Sequence, residues 1–343
     1  MLDLESPAVR YALSSREELD RLASVLLSAT ASSADLARAA AELYECLAAP
    51  VAETVRNESR TSLPDGLALG PSAAAACTKE PLRTAMFLRG VDTALTEALR
   101  RFPGETIEVV YAGTGPLAPL VIPILPRYAD APVRFTLIDV HADSVAATRI
   151  LTDHFALTHL IRAFVAGDAT RYEHPRGVRL HGLISETMQS ALRREPQVAI
   201  ARQILPQLVP GGFMVPESVR VDLLLGDLEA RSRESRDERD AEDLQFVQMI
   251  FELRAGVERW PLDADGCLPP VVVTLPADRD FSHLRPFFGT VIVTRSPHVL
   301  ASGQSGLTLP LVVPELRALQ PGSVLELRYQ IGSDPRFLVR RRS

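Results

Sequence analysis

Two carboxylates, Glu186 and Glu195, stand nine positions apart in the stretch "GLISETMQSALRREP" (182–196), just after the apolar run Gly182-Leu183-Ile184. An unpaired carboxylate at the end of a buried strand is costly, so Glu186 needs a partner that offsets the cost. Two carboxylates suit a cationic ligand. They can grip a guanidinium or ammonium through charge-assisted hydrogen bonds, bias its charge, and receive a proton from a reacting nitrogen. Both residues are therefore candidate catalytic groups. Glu195 has a second reading: it precedes Pro196 and could simply flank the helix "PQVAIARQIL".

Further candidates lie upstream. The strand "TIEVVYAG" runs into Gly113-Thr114-Gly115, "VRFTLIDV" carries Asp139 at its end, and "IRAFVAGDA" closes on Gly167-Asp168-Ala169. Glycines in such a loop let a ligand approach the backbone, and a helix starting there would favour negative charge. A carboxylate at the second strand end accepts hydrogen bonds from ribose hydroxyls. Asp168, beside Ala169, could receive an adenine amino group. One adenosine satisfies all three features. Tyr111 either lines that pocket or packs in the core, and His141 either stacks on the base or sits at the surface. A dinucleotide fingerprint is met only with Ala118 in its last place, and Pro116 lacks the N–H that a pyrophosphate would want. S-adenosyl-L-methionine carries no phosphate and suffers less from that loss.

These residues need strands that all end on one side. Alternating strand and helix patterns over 105–220 predict a parallel sheet covered on both faces. Residues 15–56 and roughly 80–101 read as helices, with a capping-box spacing at Ser15. "LAPLVIPILPRYA" reads as a proline-interrupted helix after the glycine loop. Beyond 220, short extended runs separated by turn residues predict an all-β sandwich or barrel. The expected organisation is an α/β, Rossmann-like domain (103–220) between a helical N-terminal region (1–102), serving as a lid, and a β-rich C-terminal domain (221–343).

Composition narrows the partners. With 343 residues, 46% of them hydrophobic, and a net charge of −6, the chain can bury a sizeable core and lacks the basic face that nucleic acid requires. The Arg340-Arg341-Arg342 end reads as solvated, as do Arg193 and Arg194. The three cysteines have no CxxC spacing, so neither a disulfide framework nor a metal site is expected. With no leader-like start and no long apolar run, the expectation is a cytoplasmic protein off the membrane, acting on a small molecule. The mixed-charge segment 227–243 reads as a dimer arm or a loop, which leaves a homodimer open.

The order "AGTG … LID … AGDA … SE … LVPGG" is similar to class I S-adenosylmethionine-dependent methyltransferases. More narrowly, "KEPLRT" (79–84), the "GTG" loop, "ISETM" with its second Glu nine residues on, and "ILPQLVPGGFMVP" resemble the protein arginine methyltransferase family over about residues 78–220. The resemblance implies a Rossmann-like methyltransferase domain with S-adenosyl-L-methionine as cofactor. It implies that Arg83 contacts the cofactor carboxylate, and that Glu186 and Glu195 form a double-glutamate loop gripping a guanidinium. The departures are specific. Val109-Val110-Tyr111 replaces the family's Asp-x-Gly. Asp168 stands in for the Glu that meets adenine. "RNESRTSLPDGLALGP" (56–71) takes the place of a tyrosine-rich helix, and "SGLTLPLVV" (305–313) that of a Thr-His-Trp motif. These changes point away from a protein substrate and toward a small enclosed one, as in small-molecule biosynthesis.

Three functions stay open at this level. The first is N-methylation of a small guanidine or amine such as free arginine. The second is cyclisation of the cofactor's own chain to azetidine-2-carboxylate, with release of methylthioadenosine. The third is a non-catalytic cofactor-binding regulatory subunit.

Overall fold

The structure, a computed structural model, describes residues 7–227, 244–278, 281, 283–313, 315–316 and 319–342. Its N-terminal part holds α1 (Pro7–Leu27) and α2 (Ser33–Ala48). Leu19, Leu22 and Leu26 of α1 and Leu36, Leu43 and Leu47 of α2 recur at helical spacing and are buried. The capping box expected at Ser15 is not there, because α1 begins at Pro7 and passes through Ser15. It caps α2 instead: Asp35 N–H donates to Ser32 Oγ at 3.1 Å and Ser32 N–H to Asp35 Oδ2 at 3.3 Å.

The stretch "SLPDGLALGP" (62–71), which reads from sequence as turn chemistry, carries most of a hairpin, β1 (Thr61–Leu63) and β2 (Gly66–Ala68), closed by Pro64-Asp65. Next come α3 (Pro71–Ala76) and α4 (Pro81–Arg101). Arg89 of α4 closes the end of α1, donating to the carbonyls of Leu26 at 3.0 Å and Ser28 at 2.6 Å. Thus α4 locks the N-terminal helices onto the rest of the chain.

The central sheet comprises β3 (Ile107–Ala112), β4 (Val133–Asp139), β5 (Ile161–Ala166), β6 (Leu180–Ser185) and β7 (Leu208–Val215), in the order β5-β4-β3-β6-β7. Every pair in it is parallel. The order reverses direction between β3 and β6, so the ends of these two strands flank the crevice where open α/β sheets bind ligands. α5 (Ala142–His154) and α6 (Gln197–Ile204) supply crossovers. The crossover expected to be a helix after the glycine loop is not an α-helix. It is a series of turns followed by a 3-10 segment, Ile122–Tyr128. Pro116, Pro119, Pro123 and Pro126 remove backbone donors at short intervals, which leaves an α-helix without its hydrogen bonds.

The remainder is β-rich: β8 (Ser218–Asp227), β9 (Gln245–Arg254), β10 (Val271–Thr274), β11 (Leu284–Arg295), β12 (His298–Leu300), β13 (Leu311–Val312), β14 (Val324–Gln330) and β15 (Arg336–Arg342). One antiparallel sheet runs β12-β11-β8-β9 with β13 on β11, and a second runs β10-β14-β15. Phe251 and Phe288 of the first sheet meet Tyr329 and Phe337 of the second, with Phe251 stacked on Tyr329 at 5.3 Å. The arginine-rich end is not a loose tail. It is strand β15, and Arg340 and Arg342 pair with the Glu326 carboxylate at 2.5 and 2.7 Å. Of the mixed-charge segment, residues 228–243 lie outside the described residues.

Candidate functional site

The strand ends open into a cavity of about 340 Å³, within the size range of small-molecule sites, roughly 300–1,000 Å³. All nine residues singled out from sequence line it: Arg83, Tyr111, Gly113, Gly115, Asp139, Asp168, Ala169, Glu186 and Glu195.

At the glycine-loop end, Gly113 and Gly115 have φ of +74° and +57°, a region glycine occupies without strain. A Cβ on Gly113 would lie 2.2 Å from the Thr187 methyl, so this position excludes any side chain. The loop's N–H groups turn inward, not toward a ligand. Gly113 and Thr114 donate to the Ile138 carbonyl at 2.8 and 3.2 Å, and Gly115 to Asp139 Oδ2 at 2.8 Å. With Pro116 next and no α-helix behind it, the loop has no anion cradle. The helix-terminus attraction expected from sequence is absent, and with it a pyrophosphate site.

Asp139 is buried and already bonded. Besides Gly115, it accepts His141 N–H on Oδ1 at 2.9 Å, with the His141 ring nitrogen Nδ1 3.3 Å away. His141 is neither loose at the surface nor free: its other ring nitrogen meets Thr61 Oγ1 of β1 at 3.1 Å. The bond to Asp139 raises the His141 pKa. Asp168 Oδ1 accepts Thr170 N–H at 2.9 Å and its hydroxyl at 2.7 Å. Tyr111 is fully buried at the end of β3, and burial pushes its phenol well above the usual range. It packs in the core and also touches the cavity.

The double-glutamate end is built differently. The Glu186 side chain pairs with Arg83, whose other guanidinium nitrogen lies 3.4 Å from Glu80. Burial opposes the Arg83 charge, but Glu186 and Glu80 outweigh it and hold the guanidinium charged. Burial raises the Glu186 carboxyl, and Arg83 works against that rise. Glu195 is 6% exposed, and its Oε1 has no hydrogen-bond partner. Burial first, and the charge of Glu186 second, push its pKa up to about 7. Thr114 Oγ1, on the same cavity wall, is also buried without a partner. Cys77 lines the cavity too, and burial raises its thiol, which stays neutral.

The loop joining the two glutamates is held under strain. Ala191, Leu192 and Arg194 all have left-handed φ, at +57°, +54° and +67°, a conformation costing side-chain-bearing residues roughly 1–2 kcal/mol each. The β-rich unit over-determines it. Thr290 Oγ1 accepts Ala191 N–H at 2.8 Å, Tyr329 OH donates to the Leu192 carbonyl at 2.6 Å, and Ser190 Oγ donates to the Leu309 carbonyl at 2.5 Å. Arg194 N–H donates to the Pro335 carbonyl at 2.7 Å, while the Arg194 carbonyl accepts Leu67 N–H of the hairpin, also at 2.7 Å. Gln197, fully buried at the start of α6, braces the other end: its Oε1 accepts Thr187 N–H at 2.8 Å and its amide donates to the Ser185 carbonyl at 3.0 Å. Sequence reading missed Gln197, Thr187, Thr290 and Tyr329. Only Gln197 carried a signal, as a polar residue opening an apolar helix.

Thus the hairpin caps the cavity, fastened at Arg194 on one side and His141 on the other. Leu63, Leu67, Leu307, Leu309 and Leu311 give the outer wall an apolar lining. The departures noted in sequence at 56–71 and 305–313 are therefore the segments that close the site.

No protein-family model and no curated protein matches the chain. Among solved structures it is similar to the Trypanosoma brucei PRMT1 enzyme–prozyme heterotetrameric complex with AdoHcy, at 14% identity and TM-score 0.46, covering 77% of this chain and 91% of that one. It is also similar to Arabidopsis thaliana protein arginine methyltransferase 10, in an open conformation, at 13% identity and TM-score 0.45, covering 74% of this chain and 86% of that one. No helix among the described residues is long and apolar enough to cross a membrane. No group of three or more His, Cys, Asp or Glu side chains among them is placed to hold a metal ion.

Proposed function

We propose that the protein is an S-adenosyl-L-methionine-dependent transferase that N-methylates a small guanidine or amine such as free arginine. The observation that carries this reading is the buried Glu195 carboxyl beside the Glu186–Arg83 pair: Glu195 has a hydrogen bond from Gln189 but no cation, and one of its oxygens is without a partner. A buried carboxylate oxygen left without a donor is destabilising, and a cationic ligand would supply what it lacks.

The residues present fit the cofactor. Two glycines leave room at the end of β3, Asp139 and Asp168 lie where ribose and adenine would sit, and Thr114 Oγ1 is free to bond. The inward-turned loop amides suit a nucleoside without phosphate. Arg83 lies next to the carboxylate pair, where it could meet the carboxylate of the cofactor's amino-acid end. When bound, the cofactor supplies an electrophilic methyl on a sulfonium.

The chain's own groups do the rest. Glu186 and Glu195 orient the acceptor, and fixing a nucleophile in line can contribute most of such a rate. Glu195, with a pKa near neutrality, is suited to accept the proton leaving the nitrogen. The hairpin and the leucine wall exclude water and leave little room for a polypeptide.

One observation favours a second reading. Arg83 already occupies Glu186, so the free acid is single, and one carboxylate suits an ammonium as well as a guanidinium. Cyclisation of the cofactor's own chain would use Glu195 in that way.

Incubation with S-adenosylmethionine alone, and then with arginine added, separates the readings. S-adenosylhomocysteine formed only with arginine supports methyl transfer. Methylthioadenosine formed without an acceptor supports cyclisation. No turnover, with cofactor bound, leaves a regulatory subunit, and a chain that binds no cofactor overturns all three.

A further inference from the structure

Arg193 lies inside the double-glutamate loop, two positions before Glu195, and its carbonyl accepts the Glu195 N–H at 2.9 Å. Its backbone is extended, with φ −85° and ψ 154°, and its side chain lines the same cavity as both glutamates. The residue is solvent-exposed, which places it at the cavity mouth. Among the described residues it has no ion-pair partner. Asp334, the carboxylate whose charge reaches it, is bonded to Arg336 at 2.6 Å. Partial burial and the neighbouring charge of Arg194 work against the Arg193 cation, yet a guanidinium stays charged at any working pH. The cavity therefore has a buried acid with no cationic partner and, at its mouth, a cation with no ion-pair partner. The same cavity lining includes the apolar side chains of Leu67, Met188 and Leu309.

We propose that Arg193 is a specificity residue that binds a carboxylate on the acceptor, so that the acceptor class is the free ω-guanidino or ω-amino acid. This rests on the cation site at Glu195 proposed above. The cationic head docks on Glu195, the methylene stem lies along the leucines, and the planar guanidinium of Arg193 takes the carboxylate bidentately. Arg83 is unsuited to that task because it is the group proposed above to meet the cofactor's own carboxylate. Arg194 is unsuited because its side chain is not part of the cavity wall. A peptide-bound arginine has no such carboxylate, and a decarboxylated amine lacks it as well.

The test is equilibrium binding of arginine, and of agmatine, which is arginine without its carboxylate. Both are titrated into the wild-type chain and into Arg193→Gln and Arg193→Lys with S-adenosylhomocysteine saturating. The wild type is expected to favour arginine by ~10-fold or more, the value of a charge-assisted bond. Arg193→Gln should erase that preference by weakening arginine while leaving agmatine unchanged, and Arg193→Lys should keep part of it. S-adenosylhomocysteine itself should bind all three proteins equally. Equal affinity for both ligands in the wild type, failure of the wild type to bind arginine, or a preference that survives Arg193→Gln would each overturn the proposal. So would a fall in S-adenosylhomocysteine affinity, which would assign Arg193 to the cofactor. The readout is binding, so arginine that binds with this preference but is not turned over would sink the methyl-transfer reading and leave the role of Arg193 standing.

Discussion

The two ends of the cavity treat their acidic side chains in opposite ways. At the glycine-loop end, Asp139 and Asp168 are hydrogen-bonded by the chain's own donors: Gly115, His141 and Thr170. Both have donors whether or not a ligand is present. At the double-glutamate end, Glu186 shares an arginine and Glu195 has no partner on Oε1. The chain stores electrostatic cost there, on a loop whose backbone is itself strained. Acids with donors of their own shape a pocket, and one that lacks a cation selects the charge that enters it.

The largest effect is expected from Glu186→Gln. It should lower turnover by ~10²–10³-fold, the range for removing one charge-stabilising group, while cofactor affinity, to which the glycine-loop end and Arg83 both contribute, changes little. Single-turnover kinetics with parallel cofactor titration checks this, and a matching loss of cofactor affinity would erase the division between the two ends.

Gly113→Ala attacks the rigid wall. The new Cβ meets the Thr187 methyl at 2.2 Å with φ at +74°, and left-handed strain plus overpacking costs roughly 2–4 kcal/mol in denaturant unfolding. Adding Thr187→Ser removes that methyl and should recover the overpacking share but not the strain. If the double variant is no more stable than the single one, the contact is not the cause.

Glu195→Gln probes the stored cost through pH. The folded pKa, about 7, lies above the ordinary 4.5, so the native state holds the proton more tightly than the unfolded chain. The penalty is therefore absent below 4.5, grows as pH rises, and is complete above about 7, reaching about 3 kcal/mol at most. The variant should melt higher than wild type at pH 8, and the gap should shrink as pH falls. A gap independent of pH would mean that Glu195 is ionised throughout. In the wild type, kcat/KM for a cationic acceptor should rise with pH through about 7 for the same reason.

The smallest effect is expected from Tyr329→Phe, which leaves the Leu192 carbonyl without its hydroxyl donor. The loss is about 1 kcal/mol of stability, with a decrease in kcat and no change in cofactor affinity. A change in affinity instead would show that the β-rich unit supports both ends.

The asymmetry also explains what sequence made legible. The first four parallel strands and the acids at their ends follow from short-range rules, because apolar runs of six or so residues closed by Gly, Asp or Glu mark strand ends directly; the fifth begins at Leu208, in residues that read as the end of a helix. Glu186 and Glu195 were readable as residue types at a spacing. The loop between them was not, since the left-handed conformations of Ala191, Leu192 and Arg194 have no local signature and are imposed by Thr290, Tyr329 and Pro335. The partner Arg83 chooses, and the absence of one for Glu195, are likewise tertiary facts. The missing α-helix after Gly115 was foreshadowed by four prolines, but apolar periodicity outweighed them in the reading. The closing hairpin was visible only as its turn, Pro64-Asp65-Gly66, because strands of three residues carry no period.

The bonds that shape the double-glutamate loop span 99 positions from Ala191 to Thr290 and 137 from Leu192 to Tyr329. The β-rich unit thus acts as a jig for a loop that belongs to the other unit. In a lineage, the two cannot drift or be exchanged separately. A chimera that takes its sheet of parallel strands from one parent and its β-rich unit from another would inherit the glutamates without their arrangement, unless the residues that hold them travel together.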